Sequence, residues 1–320
     1  MCDPDALSLG PPPGLDAVVL SALAEDLGFE AAAGADLRGA ALLSRDVTTD
    51  STIPASAHFG GTVAAREELV VAGLPYAERS WVLLAELASA GPIRFEPLVS
   101  EGEKVAPGTA LARIEGPASV VLGAERTALD FMMVLSGVAT EARRWRDAAG
   151  EACRAIGRER ELVVTDTRKT VPGMRAASKY AVAVGGACNH RAGLWDMVLV
   201  KDNHLRLAGG VAAAVEASRA NHPGLPVEIE ADSLEQAVEA AAAGADFVLL
   251  DNMDDAALTA AVAAVREIAR AAGTTCLTEA SGGITFDRIP SLAATGVDRV
   301  STSRLTLAPP VDVGLDVEET

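Results

Sequence analysis

Apolar residues recur through the second half of the chain in short runs: VV at 163–164, MVLV at 197–200, VEI at 227–229, FVLL at 247–250, CL at 276–277 and RV at 299–300. Between most of them lie Ala-rich segments of helical composition, such as LEQAVEAAAAG (234–244) and AALTAAVAAVREIARAAG (256–273). Strand, helix, strand at intervals of roughly 20–30 residues predicts parallel βα units, hence an α/β barrel or a doubly wound sheet. Asp232 with Glu235 has the spacing of a capping box at the head of the first of these helices.

The first half has another rhythm. Leu15 to Gly28 reads as a helix with an apolar stripe at Val18, Val19, Ala22 and Leu23. The following FEAAAGADLRGAALLSRDV has no clear period and reads as an insertion or loop over 29–45. Short β-like runs, GTVAA and LVVAG, are punctuated by glycine. Pro75 then opens a helix through Trp81, Leu84 and Leu87 that Gly91 stops. Two turn signals, EGEK and APGT, between Phe95 and Gly116 predict a small antiparallel unit. Together these make a first α+β domain, joined to the second half by a long helix from about Ala118 to Ala149, with Gly137 as a break.

Polar residues occupy a consistent place in the βα half. Asp166 and Arg168 follow VV, Lys201 follows MVLV, Glu230 follows VEI, Asp251 follows FVLL, Ser281 follows CLTEA and Ser301 follows RV. In a barrel this is the C-terminal rim, where active sites are built. Polar strand ends in series favour an enzyme over a repeat scaffold or a binding module.

Composition sharpens this picture. The chain has 320 residues, enough for two domains or for a barrel with an appendage. Its 49% hydrophobic and 3% aromatic content predicts a core of Ala, Val and Leu. A net charge of −18 argues against nucleic acid or anionic membrane as partner. No signal peptide or membrane span is visible, and Cys2, Cys153, Cys188 and Cys276 are scattered without a CxxC pair, as expected of reduced thiols in a cytoplasmic protein. Against this acidic background, Arg154 to Arg206 holds ten Lys/Arg and five Asp/Glu, where the whole chain has 27 and 45. Fixed cations clustered in an anionic protein suit a polyanionic small molecule.

Arg168, Lys169, Arg191 and Lys201 suit phosphate or carboxylate, Arg as a bidentate fork and Lys as a point charge. Glu230 and Asp251, at the ends of consecutive strands, suit an oxygen-ligated Mg²⁺ shared with a polyphosphate. The Ser281-Gly282-Gly283 turn can present backbone N–H groups to a phosphate. His190 is a candidate for an anionic substrate, His204 caps a helix or binds, and His58 and His222 read as surface residues. Taken singly, such a cation is usually a solvated surface charge, such an Asp a helix cap and an SGG a simple turn. The case rests on their meeting at one rim.

These residues fall in motifs that resemble the quinolinate phosphoribosyltransferase family over nearly everything from Leu15 onward. The motifs are EDLG (25–28), RDVTTDSTIPA (45–55), AAREELVVAGLP (64–75), AERTALDFMMVLSGVAT (124–140), DTRKT (166–170) with NHR (189–191) and KDNH (201–204), VEIEADSLEQA (227–237), VLLDNM (248–253) and EASGGI (279–284). The resemblance implies an N-terminal α/β sandwich joined to an incomplete α/β, TIM-like barrel. The corresponding division is a loose tail over 1–14, the sandwich over 15–125, the barrel over 126–305, and a return of 306–320 to the sandwich. It implies conversion of quinolinate and phosphoribosyl pyrophosphate, with Mg²⁺, to nicotinate mononucleotide, pyrophosphate and CO₂. By motif position Arg126, Arg168, His190, Arg191 and Lys201 would hold the two carboxylates, with Arg126 supplied by the other subunit of a homodimer. Lys169 would face the pyrophosphate, Glu230 and Asp251 would organise ribose and Mg²⁺, and Ser281 and Gly282, with Ser303 nearby, would cradle the 5′-phosphate. The chain departs from the family at Asp130, Met133 and Val134, where Asn, Gln and Arg are usual, and in STSRLT (301–306), where Ser303 replaces a glycine. A relative acting on nicotinate or another ring acid and a non-catalytic phosphate- or nucleotide-binding barrel are the alternatives.

Overall fold

A computed structural model describes residues 12, 14–29 and 39–317. Most of the expected tail (1–14), and residues 30–38 of the expected insertion, lie outside the described residues. The first half runs α1 (Leu15–Asp26), α2 (Ala40–Leu43), α3 (Val47–Thr52), β1 (His58–Ala65), β2 (Leu69–Val70), α4 (Leu74–Ala88), β3 (Arg94–Pro97), β4 (Lys104–Val105), β5 (Ala110–Pro117) and α5 (Ala118–Ala155). The second runs β6 (Val163–Thr165), α6 (Arg175–Val184), β7 (Val198–Val200), α7 (Asp202–Ala208), α8 (Val211–Asn221), β8 (Val227–Ala231), α9 (Leu234–Ala242), β9 (Phe247–Asp251), α10 (Asp255–Ala272), β10 (Leu277–Ser281), α11 (Ile289–Thr295), β11 (Arg299–Ser301) and β12 (Val313–Val317).

The chain forms two compact units. One holds the described residues up to Ala142, with Val171–Gly186 and the chain from Leu307 onward; the other holds Arg143–Thr170 and Ala187–Thr306. The division at 142/143 falls inside α5 instead of at 125/126, and α6 groups with the first unit. The reason is local. Tyr180 of α6 donates to Glu101 at 2.9 Å, and a Cβ on Gly185 would stand 2.4 Å from the Ala139 carbonyl oxygen of α5.

In the first unit four strands pair in the order β12-β1-β5-β3, with β12 antiparallel to β1, and β2 pairs with β4. Trp81 and Leu84 of α4 are buried there, and the Trp81 indole N–H donates to the Val121 carbonyl at 3.0 Å. Helix α4 starts where the sequence indicates because Glu101, from a distant turn, accepts the Gly73 and Leu74 N–H groups at 3.1 and 2.7 Å. It stops before Gly91: Ser89 takes the left-handed conformation (φ 52°) and ends the helix. The tail of the expected loop is helical too, since Asp46 caps α3 through the Thr49 N–H at 3.0 Å; helices this short show no periodicity to read.

The second unit is an incomplete barrel, a six-stranded parallel sheet ordered β6-β11-β10-β9-β8-β7. Toward the open side a single bridge links Thr165 to Cys188. The expected capping box does not form, and the cap lies one residue later than expected. Ser233 caps α9, accepting the Gln236 N–H at 3.3 Å, while Gln236 accepts the Asp232 N–H at 3.1 Å. Ser and Gln serve as well as Asp and Glu here, so spacing alone did not choose between the two registers.

Gly137 is not a break; α5 continues through it for 38 residues. Glycine is required because a Cβ there would lie 2.2 Å from the backbone oxygen of Pro309, in the same unit. We expect Gly137→Ala to destabilise the protein by about 1–3 kcal/mol through this backbone clash. An unchanged melting temperature would show that the chain at Pro309 gives way freely.

Candidate active site

Side chains alternate across a strand, so residues two apart share a face. On β8 that pairs Glu228 with Glu230, on β10 Glu279 with Ser281, and on β11 Arg299 with Ser301. The register lays Ser281 beside Asp251 and Glu230 beside Leu249. Glu230, Asp251, Ser281 and Ser301 therefore form the rim, with Glu228, Glu279 and Arg299 one pleat beneath.

At the rim Lys201 Nζ pairs directly with Glu230. Burial pushes the Asp251 pKa above the usual carboxylate range, and the neighbouring Glu230 charge adds to it, while an Asn252 hydrogen bond, Lys201 and Lys169 work in the opposite direction. Lys169, Lys201, Glu230 and Asp251 thus act on one space. His204 is a cap: its Nδ1 accepts the Lys201 N–H at 3.0 Å and closes the first turn of α7.

The turn after β10 is shaped by close approach. Asn252 (φ 55°) donates its N–H to the Ser281 carbonyl at 3.0 Å and its Nδ2–H to Asp251 at 2.7 Å. Gly282 is left-handed at φ 81°, and a Cβ on it would stand 2.4 Å from Asn252 Oδ1. Ser301 Oγ donates to Ser281 Oγ at 3.0 Å. Ser303 is not among the non-glycine residues at positive φ, Ser89 and Asn252, so its backbone does not demand glycine. Its turn is fastened to the DTRKT segment by Thr306 Oγ1–H donating to the Lys169 carbonyl at 2.7 Å.

Arg168 and Arg191 sit close enough that the Arg168 charge, after burial, lowers the Arg191 pKa. The Nε of Arg168 is buried with no hydrogen-bond partner. Two crowded guanidiniums, one with an orphaned donor, suit an incoming anion. Arg191 itself is held only lightly, donating to the Met197 carbonyl at 3.3 Å.

Beneath them lies a polar layer that inspection of strand ends missed. Glu228 and Glu279 are fully buried; His190 Nε2 lies 3.0 Å from Glu228 and 3.4 Å from Glu279, and Arg299 lies 2.9 Å from Glu279. The signal was present in VEIE, TEAS and RVS, whose period of two puts each of these residues under a rim residue. Asp166 is also fully buried and accepts the His190 N–H at 2.8 Å. Burial disfavours charge on the His190 ring, but the two glutamates outweigh it and lift the pKa to about 9. A doubly protonated ring, however, would set Nδ1–H against the Arg191 N–H, which points at Nδ1 from 2.7 Å. We give that contact the greater weight and assign the neutral form with its proton on Nε2. His190, Glu228 and Glu279 also bring three ligand-type atoms within 4.8 Å, but a metal on Nε2 needs the proton on Nδ1, and that position is taken.

Two further cations of the Arg154–Arg206 stretch, Arg175 and Lys179, are on α6, in the first unit. Arg126, also in that unit, is exposed and meets Asp130 one helical turn on at 3.3 Å, which accounts for the acidic residue at 130. Nothing in the structure explains Met133 or Val134.

A parallel barrel with cations, paired carboxylates and a glycine turn at its C-terminal rim defines an enzyme class that handles polyanionic small molecules. The sequence matches the model for the N-terminal domain of quinolinate phosphoribosyl transferase over residues 46–136 and that for the C-terminal domain over 138–316; the chain belongs to this family. Among its relatives, nicotinate-nucleotide pyrophosphorylase [carboxylating] of Mycobacterium leprae is 38% identical over 273 residues, 85% of this chain and 91% of that one. The human protein of the same name is 43% identical over 211 residues, 66% and 68% of the two chains. The crystal structure of NadC from Streptococcus pyogenes superposes with a TM-score of 0.79 at 30% identity, covering 96% of this chain and 98% of that one.

The crowded Arg168–Arg191 pair generates a prediction. Quinolinate at a hundred times its Kd should stabilise the protein by about 2.7 kcal/mol, read as a rise in melting temperature that added salt diminishes. Arg168→Met should abolish most of the rise; an undiminished rise in that variant would remove Arg168 from the anion site.

Proposed function

We propose that this chain transfers the phosphoribosyl group of phosphoribosyl pyrophosphate to the ring nitrogen of quinolinate, with decarboxylation, giving nicotinate mononucleotide, pyrophosphate and CO₂ for de novo NAD biosynthesis. The observation that carries the reading is the Arg168–Arg191 pair, with the buried Arg168 Nε unpaired, on the same rim as the Glu230–Asp251 pair and the Gly282 turn. Two carboxylates on adjacent ring carbons need several cations. Arg168, Arg191 and Lys201, with His190 behind them, supply these, and a ring acid with one carboxylate would leave charge unanswered. Arg126, exposed on its own helix, completes the set from a second copy in a homodimer. The reading also makes the protein cytoplasmic, with no nucleic-acid or membrane partner; among the described residues no helix is long and apolar enough to cross a membrane.

The chemistry asks for fixed charges and no nucleophile. As the bond from ribose C1 to pyrophosphate breaks, positive charge grows on the ribosyl ring while the leaving group gains negative charge. Lys169, its carbonyl anchored by Thr306, faces the leaving group, and Glu230 and Asp251 face the ribosyl side. Such preorganised charges stabilise the transition state without reorganising, and clamping both substrates makes attack of the ring nitrogen on C1 effectively intramolecular. Once the nitrogen is quaternary, the bond to the 2-carboxylate can break; its electron pair stays on C2 beside N⁺ until a proton replaces CO₂. Ser281 and Gly282, with Ser303 alongside, hold the 5′-phosphate. The carboxylate pair of Glu230 and Asp251, the latter raised by burial and then by the Glu230 charge, fits Mg²⁺, which would neutralise charge on the pyrophosphate.

The test is product formation from quinolinate, phosphoribosyl pyrophosphate and Mg²⁺, with nicotinate in parallel. Nicotinate mononucleotide and CO₂ should appear with quinolinate alone; product from nicotinate alone would overturn the assignment. Lys169→Ala should lose turnover by about 10²-fold or more while its far-UV circular dichroism and melting temperature stay close to those of the parent. Wild-type rates in that variant would rule out the role given to Lys169.

A further inference from the structure

We propose that Glu228 is a positioning residue: from beneath the rim it fixes the His190 ring, and the ring in turn aims Arg191 at the dicarboxylate. The inference rests on the substrate reading above and names a part of the site that its substrate-facing residues do not include.

Residue 190 is tied at three points. Its N–H donates to Asp166 at 2.8 Å, its Nδ1 accepts the Arg191 N–H at 2.7 Å, and its Nε2 reaches Glu228 at 3.0 Å. Both ring nitrogens are therefore engaged within the protein, one by the floor of the barrel and one by the backbone of the residue that carries the guanidinium. The Arg191 guanidinium has one direct hydrogen bond of its own among the described residues, a long one of 3.3 Å to the Met197 carbonyl, with the Glu228 and Asp196 charges acting on it as well. The ring is the link between floor and rim, and a ring without Glu228 loses the nearer of the two carboxylates beside its Nε2.

Glu228 differs from its neighbour in this respect. Glu279 has its charge answered by Arg299 at 2.9 Å, and its distance to the ring is the longer one, 3.4 Å. Glu228 is fully buried and pairs with no guanidinium among the described residues; the group beside it is the His190 Nε2, at 3.0 Å. Burying a carboxylate costs several kcal/mol, and an apolar residue of similar size would serve stability as well or better. A group that is expensive to the fold and aimed at one imidazole makes sense as a device for holding that imidazole. It also fixes which nitrogen bears the proton, as the partner of a metal-bound or catalytic histidine does.

The experiment compares wild type, Glu228→Gln and Glu228→Ala in steady-state assays that vary quinolinate and phosphoribosyl pyrophosphate separately. Losing this polar contact should raise the quinolinate KM about tenfold in Glu228→Ala, with the phosphoribosyl pyrophosphate KM within about twofold of wild type. Glu228→Gln keeps an amide oxygen that accepts from Nε2–H and should lie nearer wild type. Equal changes in both KM values, no change in either, or a Gln variant as impaired as the Ala variant would overturn the proposal. Should Glu228→Ala fail to fold, the Gln variant and a spectrum of the wild type decide. In ¹⁵N-histidine-labelled wild type, with His190 assigned through His190→Gln, the ring should show a protonated Nε2 and a bare Nδ1; the opposite tautomer or a doubly protonated ring would overturn it. A wild type that makes no product from quinolinate would instead sink the substrate reading, and the spectrum would still test the ring's tether.

Discussion

Two carboxylates that water does not reach impose the order of this barrel's mouth. Glu228 and Glu279 are fully buried inside the parallel sheet, where an uncompensated charge would cost several kcal/mol. Arg299 answers one of them, with its guanidinium carbon 4.6 Å from the centre of the Phe247 ring, and the His190 Nε2 stands 3.0 Å from the other. To deliver His190, the chain must come back to the end of β6, where Cys188 bridges Thr165 and Asp166 takes the His190 N–H. The next residue then emerges beside Arg168. A requirement of the floor thus dictates where a rim cation appears.

The rim shows the opposite electrostatic condition. On the floor Glu279 is paired with Arg299, but on the rim Arg168 and Arg191 repel one another and the Arg168 Nε has no partner. In a chain of net charge −18, a local surplus of positive charge focuses the field toward the rim. Lys201 is tied to Glu230, and Asp251 is raised by burial first and by the neighbouring Glu230 charge second, so the anionic side of the rim is also held in place against a cost. Charges fixed in place before substrate arrives are what stabilise a reaction that separates charge.

Much of this was legible in the sequence because strands advertise their ends. An apolar run followed by Asp, Lys, Glu or Ser places that polar residue at the rim whatever the precise register, and Lys201, Glu230, Asp251 and Ser281 were found that way. The floor was harder, though VEIE and TEAS encode it: a glutamate inside a strand reads as an exposed face unless the sheet is known to be closed enough to bury both sides. Gly137 was misread for a related reason. Sequence records that a glycine is present in a helix, while the backbone of Pro309 that requires it lies far along the chain. The same holds for α6, which sits amid the rim motifs in sequence yet belongs to the other unit through Tyr180 and Gly185.

The phosphate side of the rim separates two uses of glycine that look alike in sequence. At Gly282 the backbone is left-handed and a Cβ would meet both the side chain and the backbone nitrogen of Asn252, at 2.4 and 2.8 Å; a side chain is unwelcome there on conformational and steric grounds together. At Ser303 neither demand applies, because the residue is not at positive φ and its turn is already secured by Thr302, whose N–H donates to Thr165, and by Thr306. A family that usually has glycine at both places can lose one and keep the cradle, since only the turn at 282 is built on the absence of a side chain. The hydroxyl at 303 then adds a hydrogen-bond donor to that loop without disturbing the turn at 282.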